Sequence, residues 1–337
     1  MNSHSKGRIA IIGSGAMGRS WAMMYASANY QVNLYDIDAD KVVNAKYEIK
    51  MQLEDLEKRK LLRGNRAARD QNSLIGVTRC LSECIRSATY VQECIVENLK
   101  EKKRLFSEID RIIDDHTIVT SSTSTFQPSN LFSDLKHKKN YIITHPVDPY
   151  VIPLVEIVPG YWTDVQTINK TKEMLEEIGQ CPVIINKEKI GFAATRIQFA
   201  MIGECWHLLN EGVISIEDID KVISEGVAMK FAMLGPFSTI HLSAFGIEDY
   251  LNKYRPALVS LSQTFQPAPR FEGELTEQIV DYLNKRMPVD NLVNYRNDKN
   301  RCLIELWKLK KTINAEKKKE SKRMRSSIGG RNMRASI

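Results

Sequence analysis

The chain has 337 residues, of which 43% are apolar and 26% are charged, a composition typical of a soluble globular protein with room for two domains. No apolar run approaches the length needed to cross a membrane, and the N-terminus lacks the apolar core of a signal peptide. None of the six cysteines forms a CxxC pair. We therefore expect neither a metal site nor a disulfide framework, and we predict a cytoplasmic protein with reduced thiols.

The formal net charge of +7 is concentrated at the C-terminal end of the chain. Residues 310–337 hold ten Lys and Arg against two Glu, a net charge of +8, which leaves the rest of the chain at about −1. Runs of charge with few apolar residues are usually solvated, so we predict that residues 311–337 form a disordered basic tail. Because the body shows no basic surface, nucleic-acid binding is not expected.

The first predicted elements are a buried strand at Arg8–Ile12 and a helix at Met17–Ala28. Between them lie three glycines with GxGxxG spacing, Gly13, Gly15 and Gly18. In this pattern the glycines allow a tight strand-to-helix turn, a close approach of the backbone to a diphosphate, and close packing of helix on strand. The diphosphate would then bind at the free N–H groups and positive end of the helix.

A second predicted strand, Gln31–Tyr35, is followed at once by Asp36. An acid about twenty residues after the glycines accepts hydrogen bonds from the ribose hydroxyls of a dinucleotide. The order of strand, glycines, helix, strand and acid predicts a dinucleotide-binding domain. A carboxylate at this place would repel the 2′-phosphate of NADP, so we expect NAD as the cofactor.

Strands and helices alternate up to residue 190, which predicts an α/β fold with a Rossmann-like doubly wound parallel sheet. Residues 39–72 are charged and amphipathic and break near Gly64, which predicts a helical hairpin. Further strands are expected near Val77 and at Tyr90–Cys94, Thr117–Ser121, Asn140–Thr144 and Pro182–Asn186. Helices are expected at Leu99–Asp114, Pro128–Leu135 and Thr167–Ile178.

From Gly191 the pattern becomes helical and stays so through Trp307. We place the domain boundary near residue 190, with an NAD-binding domain over 1–190. An all-helical C-terminal domain for substrate binding and dimerisation is predicted over 191–310. Helical faces as apolar as that of its first helix often pack against a second copy of the chain, so we predict a homodimer.

The segment THPVDPYVIPLVEIV places His145 eleven residues before Glu156. Its prolines and short apolar runs predict a strand, a rigid turn and a second strand, which could bring the two side chains together. Imidazole changes charge near neutral pH, and a nearby carboxylate fixes its tautomer and stabilises its protonated form. The pair is a candidate for proton transfer, and the alternative is a buried turn histidine with an unrelated surface acid.

Several strings, in this order, resemble the L-3-hydroxyacyl-CoA dehydrogenase superfamily, and most closely its lambda-crystallin branch, whose members act as L-gulonate 3-dehydrogenases. The resemblance covers residues 8 to about 310. The matching strings are IIGSGAMGRSWAMMYAS, NLYDID, VQECIVENLKEKKRLF, IIDDHTIVTSSTSTFQPS, THPVDP, IPLVEIVP, IGQCPV, GFAATRIQ and LGPF. The resemblance implies an NAD-dependent enzyme that oxidises a small 3-hydroxy acid.

The resemblance also implies roles for individual residues. Besides the glycine turn, it assigns cofactor contacts to Ala16, Met17, Asp36, Glu97 and Lys102. His145 matches the catalytic base, Glu156 its carboxylate partner, and Ser124 the serine that hydrogen-bonds the substrate near its reacting hydroxyl. Lys230 falls where the crystallin branch carries a basic residue, and it is a candidate partner for a substrate carboxylate.

Three departures from the family pattern bear on activity. Asp148 stands where the family has an asparagine near the nicotinamide end of the cofactor site, and Thr195 replaces an asparagine that helps to bind the reacting oxygen. We therefore assign Asp148 to the cofactor site and Thr195 to the catalytic site. The loop from His145 to Glu156 is also one residue shorter than in the crystallin branch.

The leading hypothesis is an NAD-dependent 3-hydroxy-acid dehydrogenase with L-gulonate as the favoured substrate. A 3-hydroxyacyl-CoA dehydrogenase is the alternative enzyme. The alternative that is not an enzyme is a catalytically impaired, NAD-binding, crystallin-like structural protein, which the changes at Asp148 and Thr195 motivate.

Overall fold

The computed structural model describes residues 6–332, and their side chains up to residue 320. The chain divides into two compact units. The first comprises Met1–Thr195 together with Asn300–Leu309, and the second comprises Arg196–Lys299 together with Lys310–Ile337. The first unit therefore ends close to the predicted boundary at residue 190, but the return of Asn300–Leu309 to it is not among the sequence predictions.

The first unit is built around one sheet of eight strands, which are β1 (Arg8–Ile12), β2 (Gln31–Tyr35), β3 (Ile75–Thr78), β4 (Tyr90–Glu93), β5 (Ile118–Ser121), β6 (Tyr141–Asp148), β7 (Ile152–Pro159) and β8 (Cys181–Ile184). Their order in the sheet is β3-β2-β1-β4-β5-β6-β7-β8. Neighbours pair in parallel, except that β6 and β7 are antiparallel. The first six positions follow the strand order of dinucleotide-binding doubly wound folds, so the predicted fold class is confirmed.

Helices cover both faces of this sheet. They are α1 (Ala16–Ser27), α2 (Ala39–Lys58), α3 (Ala68–Ser73), α4 (Leu81–Ile85), α5 (Leu99–Asp110), α6 (Pro128–Leu131) and α7 (Val165–Glu177). Because successive side chains of a strand point to opposite faces, Ile9 and Ile11 of β1 join one apolar cluster and Ala10 and Ile12 join the other. Side chains of α1, α2 and α7 complete the first cluster, and those of α4, α5 and α6 complete the second.

Asn300–Leu309 packs onto the rest of the first unit through several side chains, among them Leu303, Ile304 and Trp307. Ile304 is buried in the apolar cluster that also contains Ile9. The ring of Trp307 lies under the guanidinium carbon of Arg63, 3.9 Å from the ring centre. Arg63 lies in the connection between α2 and α3, in the segment predicted as a helical hairpin.

The second unit is helical. Its helices are α8 (Ala194–Asn210), α9 (Ile216–Lys221), α10 (Ala228–Phe231), α11 (Pro236–Leu242), α12 (Ile247–Ser262), α13 (Glu274–Arg286) and α14 (Leu292–Asn332), of which α8 begins within the first unit and α14 passes through Asn300–Leu309. Between residues 196 and 299, all of which the structure describes, Ile219 is the only buried apolar residue.

The C-terminal tail differs from its prediction. α14 continues through residues 311–332, where a disordered segment is expected. Lys, Arg and Glu have good helix propensity, and these residues contain no proline to stop the helix. Residues 333–337 lie outside the described part of the chain. Among the residues that are described, no helix is long and apolar enough to cross a membrane.

Candidate active site

The candidate site lies at the edge of the sheet where β1, β2, β4 and β5 end. Ser121, the last residue of β5, pairs with Ile143 of β6. His145 lies two residues beyond Ile143, so β6 carries it to the same edge. Ligands of doubly wound folds bind at this edge, outside the carboxyl ends of the parallel strands.

The three glycines between β1 and α1 meet different steric demands. Gly13 has φ +104°, and a Cβ built on it would lie 2.6 Å from the carbonyl oxygen of Cys94. A Cβ on Gly18 would lie 1.9 Å from the carbonyl oxygen of Gly13, so this glycine is required for the packing of α1 on the turn. Among the described residues, no atom lies within 4 Å of a Cβ built on Gly15. Gly13 and Gly18 therefore serve the fold, whereas Gly15 faces open space.

The start of α1 fits a diphosphate. Gly15 is the N-cap residue, and Ala16 and Met17 are the first two residues of the helix. The first backbone N–H groups of a helix have no partner within it, and the helix dipole makes this end positive. The first turn of α1 carries no acid that would compete for these groups, in a part of the chain that is fully described.

Asp36 is fixed beside this turn. The backbone N–H and the hydroxyl of Ser14 both donate to Asp36 Oδ2 at 2.8 Å. Oδ1 accepts from the backbone of Asp38 at 3.1 Å. The carboxylate at the end of β2 is thus held next to the glycine turn, where it can accept hydrogen bonds from a ribose.

Lys102 and Glu93 form a buried ion pair at the end of β4. Their side chains are 1% and 0% exposed, and Lys102 Nζ lies 2.7 Å from Glu93 Oε1. Nζ also donates to the backbone carbonyl of Ile95 at 3.2 Å and lies 3.4 Å from Glu97 Oε2. The other oxygen of Glu93 accepts from the hydroxyl of Ser121 at 2.5 Å. Glu93 is absent from the sequence predictions, although an acid at the end of a buried strand is a signal that could have revealed it.

Glu97 organises the segment 123–125. Its Oε1 accepts from the hydroxyls of Thr123 and Thr125 at 2.5 and 2.8 Å. The backbone N–H groups of Ser124 and Thr125 donate to the same oxygen at 3.1 and 3.2 Å. Burial raises the pKa of the Glu97 carboxyl, but these hydrogen bonds and the charge of Lys102 outweigh that effect, so the pKa lies below its ordinary value. A charged Glu97 therefore fixes the backbone that carries Ser124.

His145 and Glu156 meet across the antiparallel pair of β6 and β7. They lie directly opposite each other in the register, and His145 Nδ1 is 2.8 Å from Glu156 Oε2. Both side chains are buried, at 8% and 1% exposure. The ring of Phe192 packs against the imidazole with 5.5 Å between ring centroids. The hydrogen bond at Nδ1 leaves Nε2 as the ring nitrogen that can exchange a proton with a ligand.

The second oxygen of Glu156 caps the start of α8. Oε1 accepts from the backbone N–H groups of Ala193 and Ala194 at 2.8 and 3.0 Å. Burial raises the pKa of the Glu156 carboxyl, but the hydrogen bond with His145 and the two backbone donors outweigh it, so the pKa lies below its ordinary value. Thr195, the second residue of α8, directly follows these donors. Sequence reasoning did not find this link between Glu156 and the helix.

Asp148 is held by α1. Its Oδ1 accepts from the hydroxyl of Ser20 at 3.1 Å, and Ser20 Oγ in turn accepts from the backbone N–H of Tyr150 at 3.1 Å. The register of β6 and β7 shifts between Pro146 and Asp148. The carboxylate of Asp148 is therefore tied to the helix that follows the glycine turn.

Lys230 belongs to the second unit. It lies on α10, it is exposed, and its Nζ is 6.0 Å from the ring centre of Phe231. Its assignment to a substrate carboxylate stays a prediction.

Comparison with known proteins identifies the class to which this fold and site belong. Residues 8–189 match the family model of the 3-hydroxyacyl-CoA dehydrogenase NAD-binding domain, and residues 191–285 match that of the 3-hydroxyacyl-CoA dehydrogenase C-terminal domain. The chain belongs to the 3-hydroxyacyl-CoA dehydrogenase family, a family of NAD-dependent hydroxy-acid dehydrogenases.

Within this superfamily, the resemblance to the lambda-crystallin branch is confirmed. The chain is 40% identical over 316 residues to the human lambda-crystallin homolog, covering 93% of this chain and 99% of that protein. It is 31% identical to an L-carnitine dehydrogenase of Oceanobacillus iheyensis, covering 89% of this chain and 97% of the relative. Among solved structures, the NAD-dependent 5-formyl-3-hydroxy-2-methylpyridine 4-carboxylic acid 5-dehydrogenase superposes with a TM-score of 0.76 at 22% identity, covering 90% and 98% of the two chains, and shows the shared fold.

Proposed function

We propose that the protein is an NAD-dependent dehydrogenase of small 3-hydroxy acids, with oxidation of L-gulonate to 3-dehydro-L-gulonate as the favoured reaction. The observation that carries this proposal is the buried pair of His145 and Glu156, whose Nδ1 and Oε2 atoms lie 2.8 Å apart. A histidine held in this way can act as a general base at neutral pH. The glycine turn, the start of α1 and Asp36 support NAD as the cofactor.

The roles of the residues follow from this geometry. The chemistry that bound NAD would supply is acceptance of the hydride that leaves the carbon bearing the reacting hydroxyl. His145 takes the hydroxyl proton on Nε2, and the carbon–oxygen bond becomes a carbonyl. Glu156, charged and held by Ala193 and Ala194, stabilises the imidazolium that forms. Ser124 and Thr195 are the candidate hydrogen-bond donors to the reacting oxygen. Asp36, Ala16 and Met17 hold the cofactor, and Glu97, Lys102 and Asp148 complete its site.

Turnover measurements test the proposal. The purified protein is assayed for NADH formation with L-gulonate, L-carnitine, 3-hydroxybutyrate and 3-hydroxybutyryl-CoA. L-Carnitine is included because a 31%-identical relative is an L-carnitine dehydrogenase. Activity on L-gulonate that exceeds activity on the other substrates supports the proposal. Activity with the thioester alone favours the 3-hydroxyacyl-CoA dehydrogenase.

A structural protein that has lost turnover is the second candidate, because Asp148 and Thr195 replace two family asparagines. The Asp148→Asn/Thr195→Asn double variant separates the two proposals. Tight NAD binding without turnover in the natural protein, together with turnover in the double variant, would identify an impaired enzyme. Wild-type turnover that disappears in His145→Ala would exclude it.

Lys230 is proposed to bind the substrate carboxylate. Lys230→Met is expected to raise KM for L-gulonate and to leave the dissociation constant of NAD unchanged. Lys221, an exposed lysine of the same unit that is paired with Glu217 at 2.9 Å, offers Lys221→Met as the control. An equal rise of KM in both variants would contradict the assignment.

We also propose a cytoplasmic homodimer in which a second copy covers the apolar surface of the second unit. Phe199, Phe237 and Phe245 are 61%, 75% and 97% exposed in the isolated chain. Apolar surface at this density is typical of an interface between subunits. Light scattering of the purified protein measures the oligomeric state directly.

A further inference from the structure

The ion pair of Lys102 and Glu93 is not part of the proposed proton transfer. Its atoms nevertheless lie 2.7 Å apart and its side chains are at least as deeply buried as those of His145 and Glu156, which lie 2.8 Å apart. The ammonium group of Lys102 has three N–H donors. Its three closest acceptors are Glu93 Oε1 at 2.7 Å, the carbonyl of Ile95 at 3.2 Å and Glu97 Oε2 at 3.4 Å. Two of these donors make hydrogen bonds, to Glu93 and to Ile95, and the Glu97 carboxylate lies within ion-pair distance, so the protein itself holds the ammonium group in place.

Glu93 anchors this arrangement to the sheet. It is the last residue of β4, and both of its oxygens are engaged, Oε1 by Lys102 and by the backbone N–H of Ile95 at 2.7 Å, and Oε2 by Ser121 of β5 at 2.5 Å. Burial raises the pKa of Glu93, and the ion pair with Lys102 and the hydrogen bond from Ser121 oppose that rise. Lys102 is thereby fixed relative to two adjacent strands.

Glu97 connects the ion pair to the segment 123–125. One of its oxygens faces Lys102, and the other accepts four hydrogen bonds from Thr123, Ser124 and Thr125. The chain of contacts therefore runs from β4 and β5 through Glu93, Lys102 and Glu97 to the backbone of Ser124. Glu93 and Lys102 are almost completely buried.

We propose that Glu93 is a positioning residue of the dehydrogenase site, which holds Lys102 and, through Lys102 and Glu97, sets the place of Ser124 relative to the substrate and the cofactor. This inference rests on the proposed function for the role of Ser124. In this arrangement Lys102 acts on the cofactor site through Glu97, because Glu93 and the carbonyl of Ile95 hold its ammonium group at the end of β4. Small displacements of a group that positions a substrate have large effects on rate.

Glu93→Gln tests the inference, because the amide keeps the size of the side chain and removes its charge. It is expected to lower kcat/KM for the hydroxy acid on the order of 10-fold or more. Hydrogen exchange at the backbone N–H groups of Ser124 and Thr125 is expected to become faster, because Lys102 loses the carboxylate that anchors it and no longer holds Glu97 in a fixed place. Asp110→Asn is the matched control, since Asp110 is a buried carboxylate at the other end of α5 whose backbone donors are Lys136 and His137 at 2.8 and 3.1 Å. The control is expected to lose stability and to keep both the exchange rates and kcat/KM.

A second variant keeps the test decisive if Glu93→Gln folds poorly. Glu93→Gln/Lys102→Met removes both charges, so it leaves no unpaired buried cation and is expected to regain thermal stability relative to Glu93→Gln. It is also expected to keep the faster exchange at Ser124 and Thr125. Wild-type exchange and wild-type kcat/KM in either folded variant would overturn the inference.

The two proposals fail in different ways. If the natural protein has no turnover with any of the four substrates, the proposed function fails, and hydrogen exchange at Ser124 and Thr125 still decides the role of Glu93. If turnover is present and Glu93→Gln changes it no more than Asp110→Asn does, the role of Glu93 fails and the proposed function stands.

Discussion

The two units of the chain differ in how they treat apolar and charged side chains. The first unit buries its apolar residues in two clusters, and in its interior Lys102 and Glu156 each have a close partner, a carboxylate of opposite charge for Lys102 and a hydrogen-bonded imidazole for Glu156. In the second unit, the described residues between 196 and 299 bury one apolar side chain, while Phe199 and Phe245 are 61% and 97% exposed.

The two kinds of packing have different consequences for what each unit can do. A unit with a complete core can hold reactive groups in fixed geometry, because its packing energy does not depend on a partner. A unit of helices with uncovered apolar faces gains its stability from contact with another surface. The first unit therefore has the packing that a fixed site needs, and the second unit leaves apolar helical surface exposed.

Replacement of the proposed base is the strongest test of whether the first unit carries the catalytic site. His145→Ala is expected to lower kcat by about 10²–10⁴-fold, because general-base catalysis is lost. The dissociation constant of NAD should not change. His137→Gln is the control, since His137 is also a buried histidine paired with a carboxylate, 3.1 Å from Asp110. An equal loss of kcat in both variants would contradict the assignment of the base.

A charge introduced on the exposed face of α8 tests whether the apolar surface of the second unit forms a subunit interface. Phe199→Asp is expected to weaken a dimer by roughly 2–4 kcal/mol, since large aromatic residues dominate many interfaces. Light scattering over a range of concentrations measures the change from dimer to monomer. Tyr161→Asp is the control, because Tyr161 is 90% exposed in the first unit. A Phe199→Asp protein that stays dimeric at every concentration would remove α8 from the interface.

Two substitutions in the glycine turn distinguish a glycine that stabilises the fold from a glycine that serves cofactor binding. Gly18→Ala is expected to cost about 1–3 kcal/mol of unfolding free energy, because its Cβ would lie 1.9 Å from a carbonyl oxygen. Gly15→Ala is expected to leave that free energy within about 1 kcal/mol, since Gly15 has φ −63°, but to raise KM for NAD. Denaturation and NAD titration of both variants check this. Equal effects of the two substitutions on KM and on stability would contradict the division of roles.

The smallest expected effect concerns Glu156 and pH. Its pKa in the folded protein lies below the ordinary value of 4.5, so the charged carboxylate contributes stability above that value, and this contribution is lost as pH falls through the lower folded pKa. The difference in unfolding free energy between the natural protein and Glu156→Gln should therefore shrink as the pH falls from below 4.5 through the lower pKa of the folded protein. Denaturant titrations at several pH values measure it. A difference that grows as the pH falls would show that the pKa of Glu156 is raised.

The sequence predicts those parts of the fold and site that depend on local patterns. The glycine spacing, Asp36 at the end of β2 and the alternation of strands and helices all follow from residues near one another in the chain. The contact between His145 and Glu156 can also be predicted from the sequence, because a short turn joins their strands.

Contacts between distant segments are a different matter. Glu93 forms an ion pair with Lys102 across a loop and accepts a hydrogen bond from Ser121 of the adjacent strand β5. No spacing rule in the sequence connects these three residues. Ile304 joins the core of the first unit from the far end of the chain. The two backbone donors of Ala193 and Ala194 to Glu156 carry no side-chain signal in the sequence. Such contacts depend on the assembled sheet.

The shift of register between Pro146 and Asp148 determines which changes of turn length the strands β6 and β7 can accommodate. His145 pairs with Glu156 and Pro146 with Val155 before the shift occurs. Insertions or deletions within 147–151 therefore alter the connection beyond these pairs and leave the imidazole opposite its carboxylate. The length of this turn can therefore change without moving His145 away from Glu156.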